Sequence, residues 1–206
     1  MKKMIFALLL SVFAAATFAQ DEKEKPVKGF KKEKLFTGGG VTASFFNGGT
    51  ALGLGPYFGY SLNKFMDVAV SLNFNYTSQR DYFVLGDKLR QTVYGPGAFV
   101  RLFPVHFLFA EAQYEHNFIR LNYIHANNSN YLSSKSNADA NSFLVGGGYT
   151  SGRRNGNNSF YYLSVLWDIA ALAQSPYVDN LGRNFPVIRG GINIALFQGS
   201  RRKGRY

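Results

Sequence analysis

Residue types that commonly carry out chemistry are sparse in this chain. It has three histidines, His106, His116 and His125, and it has no cysteine, so no disulfide or thiolate metal site can form. No histidine stands at ligand spacing from a carboxylate, and none has a nucleophile arranged beside it. The sequence therefore predicts no catalytic site, no metal site and no cofactor.

Acidic and basic side chains occur instead within segments that alternate apolar and polar residues. In the segment 65–76, Val68, Val70 and Leu72 fall on one face, and Asp67 and Asn73 fall on the other. Because side chains alternate across a β-strand, this pattern predicts a strand with one apolar and one polar surface. The segment is long enough for the roughly 9–11 residues that a transmembrane strand needs.

Eight such segments are predicted, approximately at 36–46, 51–60, 65–76, 91–103, 106–119, 140–150, 159–169 and 187–197. From the second segment onward the connections alternate short and long, with long ones at 77–90, 120–139 and 170–186. Outer-membrane barrels have short periplasmic turns and longer external loops. We therefore predict an all-β fold, an eight-stranded antiparallel up-and-down transmembrane β-barrel over residues 36–197. Pro56 and Pro96 fall inside strands and predict local bulges or irregular pairing.

The polar face of the predicted strands carries charges of both signs. These inward residues are Asp67, Arg101, Glu111, Glu115, Asp168 and Arg189. Buried charges must be paired or solvated, so mixed signs predict a salt-bridge network that plugs the lumen. An ion path gated by the same network is the alternative, although a barrel of eight strands is normally packed with side chains.

Aromatic residues cluster at both ends of the predicted apolar face. At the external ends they are Phe45, Tyr76, Tyr94, Phe118, Phe143 and Trp167, and at the periplasmic ends they are Tyr60, Tyr149 and Tyr161. Two such aromatic girdles around an apolar band are typical of membrane barrels. A secreted lipocalin-like barrel is the alternative, but its outward polar face would carry more Lys, Glu and Thr than glycine.

The chain ends predict export and a basic periplasmic face. Residues 1–19 form a secretory signal peptide, with a basic start, an apolar run and small residues before the polarity rises at Gln20. We predict a basic periplasmic segment 20–35, the barrel 36–197 and a basic periplasmic tail 198–206. The basic face consists of Lys31, Lys32, Lys34, Arg153, Arg154, Arg201, Arg202, Lys203 and Arg205.

The last predicted strand, Gly190 to Phe197, has a glycine, alternating apolar residues and a terminal aromatic residue. In this strand and in its architecture the chain resembles the small outer-membrane barrel family of Gram-negative bacteria, similar to the OmpA transmembrane domain and OmpX. The resemblance implies a porin-like barrel in the outer membrane. The tail beyond Phe197 departs from the family pattern, because it moves the aromatic residue away from the chain end.

Three functions are compatible with these features. The first is a structural scaffold that presents its external loops, and the second is an accessory subunit of a larger outer-membrane protein complex. The third is a lipid-A-modifying enzyme. Lipid A deacylases carry a His-x-Ser pattern, and none of the three histidines here has a serine two positions later, so the sequence does not support this function. The expected partners are outer-membrane lipid, and at the basic face anionic headgroups, peptidoglycan or an acidic periplasmic protein; nucleic acid is not expected.

Overall fold

The computed structural model describes residues 29–46, 48–126, 134–151, 153, 159–170, 172, 174–178 and 182–197. The chain divides into two compact units, 1–31 and 32–206. Only residues 29–31 of the first unit are described, and the second unit is the barrel. The predicted signal peptide, residues 20–28, Arg154 and the tail 198–206 with its four basic residues lie outside the described residues.

Eight strands follow a short 3₁₀ helix, Lys32–Lys34. They are β1 Leu35–Phe46, β2 Gly49–Ser61, β3 Met66–Arg80, β4 Lys88–Val105, β5 Leu108–Ile124, β6 Ser134–Ser151, β7 Phe160–Asp168 and β8 Val187–Ala195. Each strand pairs antiparallel with its neighbour in sequence, and β1 pairs with β8, which closes the barrel. The predicted fold of eight antiparallel up-and-down strands is confirmed.

Burial along the strands is inverted relative to a water-soluble barrel. On β3, Val70 is 63% exposed and Leu72 is 61% exposed, whereas Asp67 is 1% exposed. Water would penalise this continuous apolar exterior, but a bilayer would stabilise it, so the fold is that of a transmembrane barrel. None of the described helices has the length and apolar character of a bilayer-spanning helix.

Four strands are longer at one end than the sequence predicts. β3 continues to Arg80 and β4 begins at Lys88, so the predicted long loop 77–90 is reduced to the tip 81–87. Likewise β5 continues to Ile124 and β6 begins at Ser134. The predicted strand ends were wrong because these extensions are polar on their outward face, which removes the apolar alternation that marks a membrane strand.

The two prolines that were predicted to disturb strands, Pro56 and Pro96, interrupt pairing without shifting its register. Pro56 pairs with β1, while the ladder between β2 and β3 skips it and resumes in the same register at Tyr57. Pro96 behaves in the same way between β4 and β5. The irregular pairing expected there is present, but bulges are not; the register shift between β4 and β5 lies after Leu102, beside Pro104. A proline lacks the N–H for only one side of the ladder, so the other side remains paired.

Candidate functional site

An ion pair lies at the end of the lumen where the short β2–β3 connection and the β6–β7 connection are found. Arg153, in the turn after β6, donates to both carboxylate oxygens of Asp67 at 2.6 and 3.2 Å, and it also reaches the Lys64 carbonyl oxygen. Its guanidinium lies 3.6 Å from the ring centre of Phe103. Arg153 was predicted on the basic periplasmic face, and the structure places its side chain inside the barrel against the buried carboxylate of Asp67, where pairing offsets the cost of a buried charge.

A second ion pair lies in the middle of the lumen. Arg101 Nε donates to Glu111 at 2.7 Å, and both side chains are buried. β4 and β5 place these two residues directly opposite each other. Four aromatic rings surround the guanidinium, with the ring centres of Tyr162 and Phe99 at 4.2 and 4.5 Å, and this environment favours a cation.

Glycines of β1 make room for these rings. A Cβ at Gly38 would lie 2.3 Å from the Ile192 carbonyl oxygen and 2.5 Å from Tyr57 atoms, and one at Gly40 would lie 2.5 Å from the Tyr162 hydroxyl. The absence of a side chain at Gly38 and Gly40 therefore leaves space for the aromatic rings in the crowded lumen.

A third ion pair lies nearer the opposite end, beside the β7–β8 connection. Arg189 on β8 donates to Glu115 at 2.8 Å and also to the Gln113 side chain. Gln113 in turn donates to Glu115 at 2.9 Å. The Tyr177 hydroxyl, from the connection between β7 and β8, donates to the other Glu115 oxygen at 2.6 Å. Glu115 is therefore fully hydrogen-bonded although it is completely buried.

Asp168 differs from the other predicted lumen charges because no described basic residue pairs with it. Its carboxylate accepts hydrogen bonds from the Phe143 and Ala170 backbone N–H groups and from the Ser175 hydroxyl, the last at 2.6 Å. Ser175 and Tyr177 are buried, so this part of the predicted external loop 170–186 folds into the barrel mouth. Sequence reasoning missed both residues, because a connection without alternation carries no signal of which side chains turn inward.

A cavity of about 20 Å³, room for roughly one water molecule, remains between the second and third ion pairs. Its lining includes both guanidiniums together with Asn73. Three of the lining polar atoms, Arg101 Nη1, Arg189 Nε and Asn73 Oδ1, have no hydrogen-bond partner among the described residues.

The predicted girdle residues all lie on the outer face of their strands. Phe45, Tyr76, Phe118, Phe143, Tyr149, Tyr161 and Trp167 are exposed, and Tyr60 and Tyr94 are half-buried. Tyr94 and Phe118 lie opposite each other on β4 and β5 with ring centres 5.7 Å apart. The aromatic residues thus lie where a girdle would contact the bilayer interface.

The histidines remain apart from the charged lumen. His116 contacts the Asn141 side chain on the outer wall, 2.8 Å away, and His106 packs edge-on against the neighbouring ring of Phe107. In the described part of the chain no group of three His, Asp or Glu side chains could hold a metal ion.

A buried carboxylate organises the tip of the β3–β4 hairpin, a feature that the sequence did not reveal. Asp87 accepts hydrogen bonds from the Tyr82, Phe83 and Val84 backbone N–H groups and from the Tyr123 hydroxyl. Burial alone would raise the pKa of Asp87, but these hydrogen bonds stabilise the carboxylate and lower the pKa below its ordinary value of 3.8.

The predicted basic face is only partly described. Lys31 and Lys32 are partly or fully exposed, and Lys34 donates to the Leu62 carbonyl oxygen at 2.7 Å and lies over the Tyr60 ring. Arg154, Arg201, Arg202, Lys203 and Arg205 are outside the described residues. With Arg153 inside the lumen, the described part of the face is smaller than predicted.

These observations define the class of protein: an eight-stranded membrane-spanning β-barrel with buried ion pairs in its interior. No protein-family model matches the chain, and no curated protein matches it. Among solved structures it is similar to Ail, the attachment invasion locus protein of Yersinia pestis, solved in complex with the heparin analogue sucrose octasulfate. The TM-score is 0.44 and the identity 9%, over 77% of this chain and 93% of that chain.

Two further structures are similar. One is the N-terminal β-barrel domain of Pseudomonas aeruginosa OprF, with a TM-score of 0.43 and 12% identity over 78% of this chain and 96% of that chain. The other is Neisserial surface protein A, with a TM-score of 0.39 and 13% identity over 78% of this chain and 95% of that chain. The fold assignment itself rests on the strand order and register of this chain.

Proposed function

We propose that the protein is an integral outer-membrane barrel that acts as a non-enzymatic scaffold for external hairpins, with a lumen closed to ions. The apolar outer wall supports membrane insertion, and the signal-peptide pattern of residues 1–19 supports export with both termini in the periplasm. The observation that supports closure is the lumen, where three ion pairs are buried and the cavity between Arg101 and Arg189 has room for roughly one water molecule.

Closure of the lumen is tested by conductance. The purified barrel, inserted in planar bilayers, is expected to give no long-lived ohmic current, because ions would have to displace paired and hydrogen-bonded side chains. Arg101→Ala with Glu111→Ala removes the central pair and serves as the variant expected to admit ions more easily. Reproducible, long-lived channels from the unmodified barrel would contradict the proposal.

An accessory subunit of a larger outer-membrane complex is the second candidate. The hairpin tip favours it, because Phe83 and Leu85 are 73% and 88% exposed on a loop that Asp87 holds rigid. Apolar side chains fixed in an exposed position are typical of protein interaction sites. Co-purification in mild detergent tests this candidate.

In that experiment a stoichiometric partner that is retained by the natural chain and lost from Phe83→Ser/Leu85→Ser supports the subunit function. Heat-modifiable gel mobility of the variant shows that its barrel is folded. If the natural chain purifies alone from the same membranes, the subunit function is contradicted and the scaffold function remains.

A further inference from the structure

Five basic residues lie together on the outward face of the β3–β6 extensions. They are Arg80, Lys88, Arg90, Arg120 and Lys135. All five share the parity of the lipid-facing residues on their strands, and four are exposed while Lys88 is half-buried. Asp139 is the acidic residue on the outward face of these paired extensions. We call these five residues the basic collar.

The basic collar begins directly beyond the external aromatic residues. Arg80 follows Tyr76 by four positions on β3, and Arg120 follows Phe118 by two positions on β5. At about 3.3 Å per residue along strands tilted by about 40°, the Cα atoms of these two arginines lie roughly 5–10 Å beyond the girdle. The Arg120 guanidinium reaches back to 5.4 Å from the ring centre of the girdle residue Tyr94. The position of the Cα atoms corresponds to the headgroup layer, which extends about 5–7 Å beyond the hydrocarbon on each side.

Within the collar, charge is concentrated rather than compensated. Arg80 lies directly opposite Lys88 in the β3–β4 register, an arrangement of like charges that destabilises a sheet. In the described ranges none of the five collar residues forms an ion pair with an acidic side chain. The arrangement therefore has an electrostatic cost that a bound anion would offset.

The cross-strand neighbours of Arg90 and Arg120 are hydrogen-bonding residues of small or medium size. Arg90 lies opposite Ser78 on β3 and Asn122 on β5. Arg120 lies opposite Thr92 on β4 and Asn137 on β6. Guanidiniums interleaved with hydroxyl and amide groups are suited to phosphate oxygens, which arginine binds in a bidentate manner.

We propose that the basic collar binds the phosphate groups of lipid headgroups in the outer leaflet, while the apolar wall below it contacts their acyl chains. The proposal rests on the proposed placement of the barrel in the outer membrane. It adds a lipid-binding surface that neither the closed lumen nor the scaffold function requires. Binding would anchor the β3–β6 extensions upright at the membrane surface.

The test counts bound lipid on the folded barrel by native mass spectrometry across a concentration series of diphosphoryl lipid A. The variant Arg80→Gln/Arg90→Gln/Arg120→Gln removes three collar charges. The comparison variant Lys32→Gln/Lys34→Gln/Lys64→Gln removes three charges at the opposite end of the barrel and measures any binding at the predicted basic face. A basic residue near an anionic surface contributes about fivefold in affinity, so the collar variant is expected to bind more than tenfold more weakly and to lose clearly more affinity than the comparison variant.

The phosphate groups are tested with dephosphorylated lipid A, which is expected to bind the natural chain as weakly as diphosphoryl lipid A binds the collar variant. Asp139→Asn removes the acidic neighbour and is expected to strengthen binding by up to about fivefold, which provides a test even where the triple variant fails to fold. Equal binding of both lipids, or equal loss in the collar variant and the comparison variant, would overturn the proposal. Conductance of the natural chain tests the closed lumen independently, so the two proposals can fail separately.

Discussion

The lumen and the outer wall are formed by the same eight strands, but they hold their side chains by different physical means. On β3, Asp67 is buried against Arg153, while Val70 three positions later faces outward with no polar contact. In the lumen, the stability of each buried charge depends on one particular partner. On the wall, the energetic contribution of each side chain depends on its depth in the bilayer. Substitutions should therefore have partner-dependent effects in the lumen and position-dependent effects on the wall.

Removing one member of the central ion pair is expected to have the largest effect. Arg101→Met leaves Glu111 buried without its cation and should lower the free energy of unfolding by about 3–5 kcal/mol. The double variant Arg101→Met/Glu111→Leu removes both charges and should recover much of that loss. Urea unfolding in lipid vesicles measures both, and a double variant less stable than Arg101→Met would show that the pair does not act as a unit.

On the wall, Val70→Arg is expected to have the next largest effect. Val70 is an exposed residue of the lipid-facing wall between the levels of Tyr60 and Tyr76, and an arginine there costs up to about 2–4 kcal/mol, the value at the bilayer midplane. Its inward counterpart, Asn73→Ala, removes one hydrogen bond to Asn117 and should cost about 1 kcal/mol. Heat-modifiable gel mobility compares the two, and equal damage by both would mean that the faces are assigned wrongly.

The sequence was sufficient to predict which way a side chain points where the residue follows strand alternation. It was insufficient for residues in the connections between strands. Parity alone predicted that Asp67 and Glu115 point inward, because a strand has a period of two. The same argument cannot place Arg153, which lies in a turn, or Tyr177, which lies in a long connection. Both are drawn into the lumen by buried carboxylates on other strands, a contact between residues distant in sequence that no local pattern reveals.

The hydrogen bonds at the mouth of the lumen beside the β7–β8 connection can be weakened without removing a charge. Tyr177→Phe keeps the ring in its apolar cluster but removes the hydroxyl that donates to Glu115, at an expected cost of about 1.5 kcal/mol. Tyr149→Phe is the control on the wall, where the side chain is exposed, and should stay within about 0.5 kcal/mol. Thermal unfolding in one detergent ranks the two, and a control as destabilised as Tyr177→Phe would contradict a specific role for the mouth.

The smallest expected effect lies beyond the membrane, where Asp87 is a buried carboxylate stabilised by backbone N–H groups instead of an arginine. Asp87→Asn weakens those hydrogen bonds, so amide exchange at Phe83 and Val84 should increase about tenfold while the barrel keeps its stability. Asp81→Asn is the control, since its side chain accepts only from the Gly86 N–H in this tip.

The same exchange measurement has a defined pH dependence in the natural chain. The pKa of Asp87 is lower in the folded hairpin than its ordinary value of 3.8, so the carboxylate stabilises the tip fully above that value. Its contribution is lost as the pH falls below 3.8 and through the lowered folded pKa, where the protonated group can no longer accept the same hydrogen bonds. Exchange at Phe83 and Val84, corrected for its intrinsic pH dependence, should therefore rise only below pH 3.8. A rise that begins well above this value, or one that persists in Asp87→Asn, would show that a group other than Asp87 orders the tip.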